Sequence, residues 1–182
     1  MASTMSATLA ACTGDDAPDA TPSEPSTATS SAVEAPTDEW REEFSTEDLQ
    51  AYDAALAAFE TYEDQSLAYW EAGVASPEAE AFFSRWWFAP MLPMNLLQTY
   101  EASEVVVDGD VTVLESRAQS VGADGVDVEI VQCVDPTTRT VTQRGTPAPG
   151  AATEPLARIV SLSQDGDGNW RLTSLPTTED PC

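Results

Sequence analysis

The sequence contains no histidine and no lysine. Without histidine, the commonest general base, the usual partner of a catalytic serine or cysteine and the commonest zinc ligand are missing, which removes most hydrolase and zinc-site readings. The cations are seven arginines, set against 32 acidic residues for a formal charge of -25. Such a charge repels phosphate backbones and anionic lipid head groups, so no nucleic-acid partner is expected. No segment is apolar over enough residues to span a bilayer. Cysteine is scarce as well, and three is an odd number that in an exported chain calls for an explanation. Missing lysine combined with abundant Ala, Thr, Asp and Glu is the composition that GC-rich coding produces, as in actinobacteria and their phages.

What is present begins with Leu9-Ala10-Ala11-Cys12, which resembles the bacterial lipobox: an aliphatic residue, two small ones and the cysteine that is diacylated before cleavage. Residues 1–8 carry no Lys or Arg and no apolar run of normal length, so the expectation is a start lying downstream of a basic, apolar leader. Residues 13–37 are Asp, Pro, Ser, Thr and Ala with almost no large apolar side chain, a composition that cannot offset its ordering entropy by burial. The expected organisation is a partial lipoprotein signal at 1–12, a disordered acidic tether at 13–44 and a folded domain at 45–182. A tether of about 30 residues reaches on the order of 30 Å. Two acyl chains on Cys12 would suffice to hold the protein on the extracytoplasmic face of the cell membrane.

Ser45-Thr46-Glu47-Asp48 has the signature of a capped helix start. Leu49, Tyr52, Leu56, Phe59, Tyr62, Ser66, Tyr69 and Trp70 then recur at helical spacing until Gly73. Ser76-Pro77 opens a second helix bearing Phe82, Phe83, Trp86 and Trp87, and residues 94–103 form a short third after Pro90 and Pro93. From Val105 the texture changes to β-branched runs parted by turn signals, with strands expected at 111–118, 126–134, 139–143, 156–164 and 170–175. Helices followed by an antiparallel meander define an α+β domain large enough to fold without a metal or cofactor.

The element order, together with Val131-Gln132-Cys133-Val134-Asp135 and Gly168-Asn169-Trp170-Arg171-Leu172, resembles the NTF2-like (SnoaL-like) lipoproteins of actinobacteria over residues 45–182. The resemblance implies a curved antiparallel sheet of about five strands wrapped around three N-terminal helices as a cone with an internal pocket. It also implies a disulfide between Cys133 and Cys182, and lipidation of Cys12 leaves these two cysteines as a pair. A bridge closing about 50 residues contributes roughly 3 to 4 kcal/mol in the chain-entropy model. Enzymes with this fold use His, Asp or Tyr inside the cone, and this chain has no His.

Strand period places Val126, Val128, Ile130, Gln132 and Val134 on one face, and Leu156, Arg158, Val160 and Leu162 on another. Gln132 and Arg158 are therefore candidate pocket residues, although such groups more often satisfy buried partners or snorkel to solvent. Tyr62, Tyr69, Trp70, Trp86, Trp87 and Phe88 can line a cavity for an apolar ligand or simply fill a core. Glu115, alternating with Val111 and Val113, fits a solvated edge strand equally well. Asp165, Asp167 and Asn169 mimic a calcium loop, but Trp170 and Pro176 stand where it needs a turn glycine and a bidentate glutamate, so a hairpin turn is expected there. No catalytic residue, metal or cofactor is assigned. The leading expectation is a non-catalytic surface lipoprotein binding a small apolar ligand or an envelope protein. The alternatives are an isomerase or dehydratase using the cone, and a phage-encoded lipoprotein that blocks superinfection.

Overall fold

A computed structural model describes residues 38–178 and 182. The expected lipidation site Cys12 lies outside the described residues. Helix α1 (Thr46–Ala72) starts where Ser45 accepts from the Asp48 amide while the Asp48 carboxylate accepts from the Ser45 amide, a reciprocal cap of about 1 kcal/mol. It stops at Gly73, whose φ of 60° is the left-handed conformation glycine adopts without strain. Helix α2 (Pro77–Trp86) is capped by Ser76 and carries proline in its first turn. Helix α3 (Met91–Ser103) begins three residues earlier than expected, because Pro90 and Pro93 fall at the cap and first turn, where the missing N–H groups cost nothing.

The strands are β1 (Val105–Asp108), β2 (Thr112–Val121), β3 (Asp127–Asp135), β4 (Thr140–Gln143), β5 (Thr146–Pro147), β6 (Leu156–Gln164) and β7 (Trp170–Ser174). The domain is thus α+β, helices first, with antiparallel sheets and no closed barrel among the described residues. The expected single sheet of about five strands is instead two, ordered β2-β3-β6-β7 and β1-β4-β5. The break has a physical cause. The β2–β3 ladder ends at Thr112 opposite Asp135, and the β1–β4 ladder resumes at Asp108 opposite Thr140. Between them stand the Gly109 turn and a 3-10 helix, Pro136–Thr138, whose proline has no N–H to donate.

The core lies between α1 and the four-stranded sheet. Tyr52, Ala55, Phe59, Tyr62 and Ser66 form the buried stripe of α1, meeting Val128, Ile130, Val160, Leu162 and Leu172 from the strands and Phe83 from α2. Burying each large apolar side chain contributes about 1.5–3 kcal/mol. Rings cluster at the α1–α2 contact, where Tyr69 stacks on Phe82 at 4.6 Å and Tyr62 stacks on Phe82 at 6.0 Å.

The expected tether boundary at residue 44 moves toward the amino terminus. A 3-10 helix, Asp38–Glu43, precedes α1, and Trp40 meets Tyr52 edge to face at 5.1 Å. Arg41 bridges to Asp53 at 3.1 Å. One indole and one guanidinium suffice to hold this acidic segment on the fold.

The bridge implied by the family resemblance is present: Cys133 and Cys182 are joined. Beyond β7 the chain continues antiparallel to β6, with Ile159 N–H donating to Pro176 O and Thr178 N–H to Ala157 O. The disulfide then ties this tail to β3, one strand further in.

Candidate functional site

Between α1, α3 and the end of β7 lies an open cavity of about 550 Å³. Helix geometry decides which α1 residues reach it. At about 100° per residue, Glu63, Ser66, Leu67 and Trp70 lie to one side of Tyr62 and line the cavity, while Tyr69 lies to the other side, against α2. Trp87 enters because α2 ends before it: the residue is extended, at φ -120° and ψ 138°, and bridges to Leu172. Leu92 and Leu96 form the mouth and are 54% and 43% exposed. Tyr100, Val107, Leu175 and Pro176 complete the apolar wall.

Of the sequence candidates, the structure brings Tyr62, Trp70, Trp87 and Arg158 together on this wall. It does not bring the others. Tyr69 faces a shallow outer hollow with Phe82 and Arg85. Trp86 packs against Tyr62 and Phe82 under the Arg85 guanidinium, on the α2 side of the ring cluster. Phe88 is exposed, with Arg171 over its ring at 4.8 Å. Gln132 is buried to 1% exposure and sits behind Arg158 rather than on the cavity surface.

Gln132 and Arg158 are cross-strand neighbours in the β3–β6 register, so the strand period that singled out each also joins them. Gln132 Nε2 donates to Ser116 Oγ at 2.9 Å, which fixes the orientation of the amide. Its Oε1 accepts from Arg158 Nε at 2.9 Å and Nη2 at 2.6 Å. Nη2 also donates to Glu63 Oε2 at 2.7 Å, reaching from β6 to α1. Beneath the guanidinium, 5.1 Å away, is the Phe59 ring. The arginine is therefore held from three sides, and the polar reading that costs least energy, a satisfied buried group, is correct for Gln132.

A second ion pair lies on the same wall, Arg139 Nη2 to Asp110 Oδ1 at 3.4 Å. Gly109 turns the chain to place Asp110 there: its φ is 81°, and a Cβ would come within 2.8 Å of the Thr138 carbonyl oxygen. Burial pushes the Tyr62 hydroxyl up to about 12. The indole Nε1 of Trp87 is near that hydroxyl yet has no partner at hydrogen-bonding geometry.

Sequence reasoning missed Glu63, Asp110, Arg139 and the apolar mouth of α3. Glu63 stands among acids at 60, 64 and 71 that look alike as text, and only its helical offset, shared with Trp70, distinguishes it.

Two other places named from sequence resolve simply. Asp165 caps the β6–β7 hairpin turn, accepting from the amides of Asn169 and Asp167 at 3.0 Å each. Those bonds, the Asn169 amide first, hold its carboxyl below the usual carboxylate range. Glu115, paired with Cys133 in register, borders a hollow on the other face of the sheet, with Trp40, Phe44 and Cys182. Among the described residues no group of three or more His, Cys, Asp or Glu is placed to hold a metal ion, and no helix is long and apolar enough to cross a membrane.

Fold and site together define an α+β domain with an apolar cavity carrying two ion pairs on its wall. No family model matches the sequence, and no curated protein matches it. Among solved structures, the intermembrane space region of the chloroplast protein ARC6 is similar, with a TM-score of 0.37 and 15% identity over 70% of this chain and 97% of that one.

Proposed function

We propose that this protein is a non-catalytic binding module, an NTF2-like cone that holds a small, mainly apolar molecule in the cavity between α1, α3 and β7. The observation that carries this reading is the cavity itself: about 550 Å³, walled by Tyr62, Trp70, Trp87 and Leu67, at a place where a protein without a ligand gains by close packing. Two of its titratable groups have structural roles. The Glu63 carboxylate is engaged by Arg158 at 2.7 Å, and burial raises the Tyr62 phenol to about 12, which keeps the phenol protonated near neutrality. That favours binding over an isomerase or dehydratase role. Cys12 in its Leu9-Ala10-Ala11-Cys12 context supports anchoring by lipid at the outer face of the cell membrane.

Titration of the full chain with N-phenyl-1-naphthylamine, a neutral apolar fluorophore, tests the reading. Saturable 1:1 binding that quenches tryptophan emission is expected, since Trp70 and Trp87 are in the wall. Leu96→Glu, at the exposed mouth, weakens it by about tenfold or more through a charge that must be desolvated. Absence of saturable binding overturns the proposal. For the anchor, Cys12→Ala releases the protein from membranes, and retention of the variant would exclude lipidation.

A further inference from the structure

The polar groups around the cavity are unevenly spent. On Arg158, Nε and Nη2 are committed to Gln132 and Glu63, while Nη1 has no hydrogen-bond partner among the described residues. Arg158 is 8% exposed as a residue and lines both this cavity and a smaller hollow beside it, so the free edge of its fork is reached from within these recesses. Trp87, 6% exposed, has a buried Nε1 without a partner. Arg139 has a buried Nε in the same condition. Among the described residues, the buried side-chain polar atoms without a partner on this wall, Trp87 Nε1 and Arg139 Nε, are both donors, and each costs free energy until an acceptor reaches it.

The charges, by contrast, are balanced. Arg158 faces Glu63 at 2.7 Å and Arg139 faces Asp110 at 3.4 Å, so the two cations on the wall are each neutralised by their own carboxylate. A bound anion would bring a third negative charge against two positive ones, and would do so within a protein of formal charge -25. A cationic head would offer donors where donors already exceed acceptors. A bare hydrocarbon would leave the indole and guanidinium N–H groups unsatisfied.

Building on the binding role proposed above, we infer that the cavity takes an uncharged apolar molecule whose polar end is a carbonyl or ester oxygen that accepts from the spare donors of Arg158 and Trp87. The acceptor supplies what the wall lacks without disturbing either ion pair. The apolar remainder lies along Trp70, Leu67 and Leu96 toward the mouth.

Four twelve-carbon probes separate the possibilities by displacement of N-phenyl-1-naphthylamine from the full chain at pH 7.5: methyl laurate, lauric acid, dodecylamine and dodecane. Methyl laurate displaces the fluorophore at a concentration about tenfold below that of the other three, the worth of one desolvated hydrogen bond. Glu63→Gln keeps an oxygen acceptor for Arg158 but leaves its charge unbalanced, and moves the ester-to-acid preference toward lauric acid by about tenfold. Infrared spectra of methyl laurate labelled with carbon-13 at the carbonyl, taken with the unaltered protein, show the band shifted below its position in dodecane. Equal displacement by all four probes overturns this inference while leaving the cavity as a general apolar site. Preference for lauric acid in the unaltered protein, or an unshifted carbonyl band in the bound ester, overturns it too. Failure of the fluorophore to bind at all overturns the binding role itself.

Discussion

Arg158 on β6 and Glu63 on α1 meet at 2.7 Å across 95 residues of sequence, joining sheet and helix at the edge of the cavity. The side chains are 9% and 19% exposed, so the contact is shielded enough for loss of one partner to matter. Arg158→Met leaves Glu63 poorly solvated and the Gln132 Oε1 without donors. The expected loss is about 2–3 kcal/mol, below the full range for a deeply buried pair because Glu63 retains some water. Urea denaturation checks it, and a change under about 0.5 kcal/mol would mean the pair is energetically idle.

Below that guanidinium, Phe59 is fully buried and lies 5.1 Å from the Arg158 charge. Phe59→Leu keeps an apolar side chain but removes the ring face, and costs about 1–2 kcal/mol from volume and from the lost cation–π contact. In a double-mutant cycle with Arg158→Met the two losses are not additive. Additivity would show that ring and charge are independent.

The disulfide between Cys133 and Cys182 closes a separation of 49 residues. Cys182→Ser lowers stability by about 3–4 kcal/mol under oxidising conditions, as judged by the shift in urea midpoint. It also frees Leu175 and Pro176, which are cavity wall, so affinity for the apolar fluorophore falls. Unchanged affinity would show that pairing with β6 alone holds the tail.

Alkaline pH separates the buried phenols from the rest. Burial raises the Tyr62 hydroxyl to about 12 in the fold, against about 10 in the unfolded chain. The folded state therefore keeps a proton that the unfolded state sheds, and the stabilising contribution is complete below pH 10 and lost between pH 10 and 12. For Tyr62 this amounts to about 3 kcal/mol. Tyr52, raised to a similar value by burial and opposed by neighbouring Arg41, acts in the same direction. Tyr62→Phe flattens the decline of melting temperature over this window, and an unaltered decline would assign it to other groups.

Gly109 is the residue that lets the strand ladder break and present Asp110 to Arg139. Gly109→Ala forces a side chain into φ 81° and toward a carbonyl at 2.8 Å. The expected cost is about 2 kcal/mol or more, with strain and clash both contributing. A thermal shift of less than a degree would show that the turn can relax.

Much of the site was legible because strand period is strict. Gln132 and Arg158 each stood out as polar residues on apolar stripes, and both stripes are buried in the fold. The helix stripe through Tyr52, Phe59 and Tyr62 was equally clear, since capping and period agreed. Glu63 was not, because an acid on an acid-rich helix acquires meaning only from its cross-chain partner. The short strands β1 and β5 also escaped: β1 is four residues directly after a helix, and β5 pairs through two residues in a Pro/Gly/Ala loop. Tyr69 and Trp86 were grouped with the cavity aromatics because composition carries no direction, whereas the rotation of α1 and the end of α2 decide which rings look inward.

The chain enters the fold at Asp38–Glu43 and is tied off at Cys182, and Trp40 and Cys182 border the same hollow on the sheet face turned away from Arg158. A pull transmitted along the preceding residues would load the Trp40–Tyr52 and Arg41–Asp53 contacts first, peeling the 3-10 helix before any strand. Leu92 and Leu96, at the cavity mouth, belong to α3 and take part in neither contact, so the segment that enters the fold and the opening of the cavity rest on different elements.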